Sequence, residues 1–260
     1  MTDDLTKTET PHLIPAIELE GLGRRYGRQN VLKNLNLNVS SGRVVVLSGS
    51  NGSGKTTLLK VLATRLRPTK GRGEVFGFDL VKQASEVRRH VAYMSVSGGH
   101  YGALSALENL RLAASLYGHD RQEVTVAELE GKLEAVGLLG AKNKLVRAFS
   151  SGMKKRLAIA RLLMSDADLW LLDEPYAALD TEGRTLVDDL LTTARLQDRT
   201  VLMASHEVAH VRALADSVLV LQDGVLRHTN PINTEPIISL EPVILAQDLE
   251  SDLEVVHGED

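Results

Sequence analysis

Residues 49–57 read Gly-Ser-Asn-Gly-Ser-Gly-Lys-Thr-Thr, a G-x-x-x-x-G-K-T spacing suited to holding a chain of phosphates. Gly49, Gly52 and Gly54 let the backbone curl and turn its N–H groups inward, around Ser50, Asn51 and Ser53. Lys55 adds a mobile positive charge, and the Thr56 hydroxyl, followed by Thr57, is of the kind that ligates Mg²⁺. The apolar run at 44–47 predicts a strand before the loop. Leu58, Leu59, Val61 and Leu62 predict a helix after it, reaching about Leu66 and lending its positive end to the site. The chemistry implied is nucleotide binding.

A second set of chemically capable residues lies far downstream. Leu169-Trp-Leu-Leu-Asp173 is an apolar strand ending in an acid, followed by Glu174. An acid at the carboxyl end of a buried parallel strand stands where ligands bind in open α/β sheets. Asp173 is the natural second contact to Mg²⁺. Glu174 would face the terminal phosphate, where an attacking water must be oriented. Helix capping is the bland alternative for both acids. Ser150, Ser151 and Gly152 open a basic helix, where they can cap it, bind an anion, or both. His206 follows another apolar run, 201–204, and is structural or catalytic on this evidence. Tyr26 can stack on an adenine ring or simply sit among its arginine neighbours.

The elements that must position these groups follow from periodicity. Alternation at 17–20 and 35–39 predicts half-buried antiparallel strands. Residues 68–73, Pro-Thr-Lys-Gly-Arg-Gly, read as a turn cluster, and 74–94 as short strands with one short helix. Residues 105–165 are mostly helical. In them Met153, Leu157, Ala160 and Met164 form an apolar stripe, with Lys154, Lys155, Arg156 and Arg161 mostly off it. Runs at 169–172 and 201–204 are buried strands, and 218–221 leads through Gln-Asp-Gly into a hairpin.

The bulk composition, 43% hydrophobic and 25% charged over 260 residues, is that of a globular protein with a full core. Aromatics are only 3% and net charge is −4, which argues against a nucleic-acid partner. Residues 231–260 hold eight acids and no Lys or Arg, so the rest of the chain is about +4. The absence of cysteine removes disulfide and thiolate-metal chemistry. The N-terminus shows no signal-peptide pattern and no apolar run reaches ~18 residues, so any membrane role needs a partner.

Together these segments resemble the ATP-binding subunit of ABC transporters, over about residues 16–230. Gly49–Thr56 matches the Walker A motif and Leu169–Asp173 Walker B, with Glu174 at the catalytic-base position. Phe149-Ser150-Ser151-Gly152-Met153 matches the Leu-Ser-Gly-Gly-Gln signature in variant form. Asp180 falls in the D-loop, His206 at the switch histidine, and Tyr26 at the adenine-stacking aromatic. The resemblance implies an α/β fold: a P-loop RecA-like core with an antiparallel β subdomain and an inserted α-helical subdomain at about 96–166. Residues 1–15 would be a flexible leader and 231–260 an acidic C-terminal appendage, within which 242–245 could pair as a strand.

The resemblance further implies an ATPase using Mg²⁺, catalysed by Glu174 and His206, with Thr56 and Asp173 on the metal. Two cassettes, identical or different, would close head to tail, each ATP lying against the Ser150–Gly152 segment of the other. A separate transmembrane permease would hold the pair at the cytoplasmic face of the membrane. Gly99-His100-Tyr101-Gly102, with residues 104–110 and the variant signature, looks most like exporter-type cassettes, of the heme-export or drug/polysaccharide kind. One departure stands out. The glutamine the family places between Tyr93 and Leu107 is missing, leaving Ser95, Ser97, His100 or water to substitute. That gap and the acidic tail keep open a rival, a non-transport ATPase of the same family acting on a soluble partner.

Overall fold

The computed structural model describes residues 14–119 and 124–229. Nearly all of the leader and all of the acidic segment, including 242–245, lie outside the described residues. The strands are β1 (Ile17–Tyr26), β2 (Gln29–Val39), β3 (Val44–Ser48), β4 (Lys70–Val75), β5 (Phe78–Asp79), β6 (Val91–Met94), β7 (Leu169–Asp173), β8 (Thr200–Ala204), β9 (Ser217–Gln222) and β10 (Val225–Thr229). The helices are α1 (Lys55–Leu62), α2 (Ala84–His90), α3 (Ala106–Leu116), α4 (Val126–Ala135), α5 (Ser151–Leu162), α6 (Thr181–Leu196) and α7 (Val208–Val211).

A six-stranded sheet in the order β10-β9-β3-β8-β7-β6 forms the centre, parallel except for β10. Its inner strands β3, β8 and β7 are largely apolar and buried because both faces are covered. Successive side chains feed opposite layers. Val44, Val46, Ala92, Met94, Trp170, Leu172, Val201 and Met203 join a core with α3–α6. Val45, Leu47, Leu169, Leu171, Leu202 and Ala204 join a second core with α1 and the smaller sheet. That smaller sheet, β2-β1-β4-β5, is wholly antiparallel. Helices α3, α4 and α5 are inserted between β6 and β7, which are neighbours in the central sheet. The expected α/β architecture, with β and helical additions, is what the chain adopts.

Two local expectations need correction. Residues 70–73 are strand, not turn. Gly71, at φ +70°, lies so close to β1 that a Cβ there would be 2.3 Å from the Gly21 backbone, so its glycine serves strand contact rather than chain reversal. Helix α1 ends at Leu62 rather than near Leu66, because Thr64 takes the left-handed conformation (φ +54°). The hairpin after β9 forms as expected, with Asp223 and Gly224 both at positive φ.

Candidate nucleotide site

β3, β8 and β7 lie side by side, so their carboxyl ends present the P-loop, Ser205-His206 and Asp173-Glu174 along one edge. The P-loop passes so near β9 that a Cβ on Gly49 would sit 2.2 Å from the Leu221 carbonyl oxygen. Lys55 Nζ donates to the Gly49 carbonyl at 2.7 Å and to that of Ser50 at 3.2 Å. The buried Ser53 hydroxyl has no hydrogen-bond partner among the described residues, a donor suited to an anion in the loop. Beside the loop is a cleft of about 320 Å³, lined by Val31, Asn51, Gly52, Thr56, Val96 and Glu174 among others.

Thr56 Oγ1 donates to Asp173 Oδ1 at 3.0 Å, and Tyr93 Oη to Asp173 Oδ2 at 3.1 Å. Asp173 is 1% exposed, and burial pushes its carboxyl above the usual range, opposed by those two bonds. Two hard oxygens from Thr56 and Asp173, joined in one place, fit a Mg²⁺ that takes its other ligands from phosphates and water.

Glu174 has φ +50°, uncommon outside glycine. Its N–H donates to the Ala204 carbonyl at 3.0 Å, and its Oε2 lies 2.8 Å from His206 Nδ1. An ionised carboxylate only accepts, so against it Nδ1 is the donor, and Nε2 makes no hydrogen bond among the described residues. His206 is 60% exposed in its side chain, Glu174 only 17%. The geometry therefore brings Lys55, Thr56, Asp173, Glu174 and His206 to one place.

The remaining candidates lie elsewhere. Tyr26 is 43% exposed at the end of β1, with the Arg24 guanidinium 4.7 Å over its ring. Ser150 caps α5, its Oγ accepting from Met153 N–H at 3.2 Å, and Ser151 is exposed beside it. Gly152 packs close to the D-loop, where a Cβ would be 3.3 Å from the Ala178 carbonyl oxygen. Asp180 caps α6, accepting from Gly183 N–H at 2.9 Å and from Arg156 at 3.0 Å. None of Ser150, Ser151 and Gly152 lines the P-loop cleft.

Three polar contacts escape a reading of the sequence. Tyr93 sits in an apolar strand, where only its lone hydroxyl hints at a partner. Lys155 lies off the apolar stripe as expected, yet it is buried, because α5 is covered on two sides. The loop after β6 is held from α5 too: Arg161 donates to the carbonyls of Gly98 and Gly99. In that loop Ser95 and Ser97 hydroxyls are 3.3 Å apart, and burial holds His100 below the usual histidine value.

A phosphate-binding loop at the switch edge of a parallel sheet, with paired acids opposite, defines a P-loop nucleotide-binding protein. The family description "ABC transporter" matches residues 32–177. The chain is 35% identical over 213 residues to the ABC transporter ATP-binding protein NatA of Bacillus subtilis, covering 80% of this chain and 86% of that protein. It is 38% identical over 193 residues to the cytochrome c biogenesis ATP-binding export protein CcmA of Methylococcus capsulatus, covering 74% and 92%. Among solved structures, an ATP-binding subunit of an ABC transporter superposes with a TM-score of 0.75 at 27% identity, covering 84% of this chain and 90% of that one. The chain belongs to the ABC transporter family. It is an ATP-binding subunit of that family, and an ATPase.

Proposed function

We propose that this chain hydrolyses ATP to drive export through a separate transmembrane permease, closing head to tail with a second cassette. The grouping of Thr56, Asp173, Glu174 and His206 beside the P-loop carries this reading. Glu174 orients and deprotonates the attacking water, and His206 helps hold the water and the terminal phosphate: Nε2 accepts from the water in the neutral ring and donates to the phosphate once the ring is protonated. Lys55 turns from the loop carbonyls to the phosphates. Thr56 and Asp173 would hold Mg²⁺, which would neutralise charge developing on the phosphoryl group.

Ser150, Ser151 and Gly152 serve the partner's ATP, which accords with their distance from this chain's own cleft. Tyr26 receives the adenine and Asp180 lies at the joint between cassettes. The working domain is 16–230, with the helical subdomain at about 96–166. Export is favoured by relatives such as the CcmA export protein and the bacitracin transport ATP-binding protein BcrA of Bacillus licheniformis, 34% identical over 221 residues covering 84% of this chain and 70% of that protein. No helix among the described residues is long and apolar enough to cross a membrane, so a permease would hold the chain at the cytoplasmic face.

The test is hydrolysis per chain against protein concentration with Mg²⁺, alongside Glu174→Gln. A rate that rises with concentration and falls ~10²–10⁴-fold in the variant, with ATP binding retained, supports the reading. Native turnover in Glu174→Gln removes the base assignment.

A further inference from the structure

Lys155 is 5% exposed and forms no ion pair among the described residues. Its Nζ donates instead to two main-chain carbonyls, Glu174 at 2.9 Å and Val96 at 3.5 Å. A buried cation is costly, and burial does pull this amine below the usual lysine value, while the charges of Asp173 and Glu174 oppose that fall. Three parts of the chain meet at the ammonium: helix α5, the loop after β7 and the loop after β6.

The carbonyl it grips is a sensitive one. Glu174 is held in the left-handed region, its N–H fixed by Ala204 of β8 and its C=O accepting from the Ala177 N–H at 3.2 Å within its own turn and from Lys155 across from α5. The torsion that aims its carboxylate toward His206 is thus clamped from both sides, one clamp belonging to the sheet and the other to the inserted helices. The same helix, through Arg161, also grips the loop after β6 at Gly98 and Gly99.

We propose that Lys155 is a positioning residue for hydrolysis: it fixes the Glu174 backbone from α5, so that a shift of the helical insertion or of the 95–99 loop re-aims the water-activating carboxylate. In a chain without the loop glutamine, Lys155 supplies a direct tie from that loop to the base. This rests on the reading of Glu174 as the base.

The experiment compares Lys155→Met with the parent, in the full chain and again in the Glu174→Gln background. It uses single-turnover hydrolysis and binding of a fluorescent ATP analogue. Displacing a reacting group by ~1 Å costs on the order of 10²-fold, so Lys155→Met should lower the rate by roughly 10- to 100-fold. Affinity for the analogue should stay within about twofold, since Lys155 does not touch the P-loop. In the Glu174→Gln background the same change should remove almost nothing more, because a positioning effect needs the group it positions.

A native rate in Lys155→Met, or the same loss in both backgrounds, overturns the proposal. If the methionine variant does not fold, Lys155→Leu, which likewise removes the donor, is judged by the same two comparisons. Glu174→Gln alone separates the levels. Native turnover there defeats the base reading, whereas an inactive Glu174→Gln beside a fully active Lys155→Met defeats only the positioning role.

Discussion

The P-loop and the seam beneath α5 both place a lysine against backbone carbonyls, yet they are built in opposite ways. Lys55 bonds to carbonyls five and six residues back in its own loop. Lys155 reaches carbonyls 19 and 59 residues away. The first arrangement is local, so its chemistry belongs to the spacing of a short motif. The second exists only once the helical insertion has packed against the sheet, so it belongs to the fold. Motif-built contacts should govern ligand affinity, and fold-built contacts should govern stability and rate.

The largest test of that division is Leu157→Ala. Leu157, on the packed side of α5, is wholly buried, and its truncation should cost about 2–5 kcal/mol of stability. ATP affinity of the folded fraction should hardly change. Denaturant unfolding and nucleotide titration on one sample would show both, and a large affinity loss would erase the distinction. Lys55→Ala is the mirror image. A bond to a charged group is worth about 1.5–3 kcal/mol, so ATP binding should weaken roughly 10- to 150-fold with little change in unfolding. Unchanged affinity would remove the P-loop reading.

Tyr93→Phe sharpens the boundary, since Tyr93 belongs to the fold but touches the proposed metal acid Asp173. Losing that one bond should cost about 1 kcal/mol, read as a severalfold rise in the Mg²⁺ concentration needed for half-maximal turnover. A lowered maximal rate at saturating Mg²⁺ would move Tyr93 to the catalytic side.

The smallest effect lies at the start of α3, where Ser105 and Glu108 cap one another. Ser105→Ala should cost about 1 kcal/mol. The Ser105 N–H holds the Glu108 carboxyl below its ordinary value of 4.5, and the Arg184 guanidinium does the same for Glu207. Both therefore contribute stability that is present above pH 4.5 and lost as pH falls through their lower folded values. Glu108→Gln, which removes the titrating group, should flatten that acid limb in a series of unfolding curves. An unchanged limb would assign it to other carboxylates.

How much was legible follows the same line. The strand–loop–helix around residues 44–62, the paired antiparallel strands and the hairpin at Asp223-Gly224 each rest on near neighbours, and all were readable from spacing. The meeting of Asp173, Glu174 and His206 was readable because they stand at or just past the carboxyl ends of two apolar strands. What stayed hidden depended on close approach or on two-sided burial. Gly71 looked like a turn because composition cannot distinguish a glycine that bends from one that lets strands touch. The burial of Lys155, which lies off the apolar stripe, was not readable because such a stripe marks one packed face, and α5 has two.

The left-handed backbone at Glu174 carries one more consequence. A non-glycine residue held there costs on the order of 1 kcal/mol, which glycine would relieve. Stability of the backbone alone would drift this position toward glycine, and the proposed role of Glu174 as base is what would select against it. A screen of variants ranked by melting temperature would thus be drawn toward changes that silence the enzyme, a trade between endurance and work written into a single torsion angle.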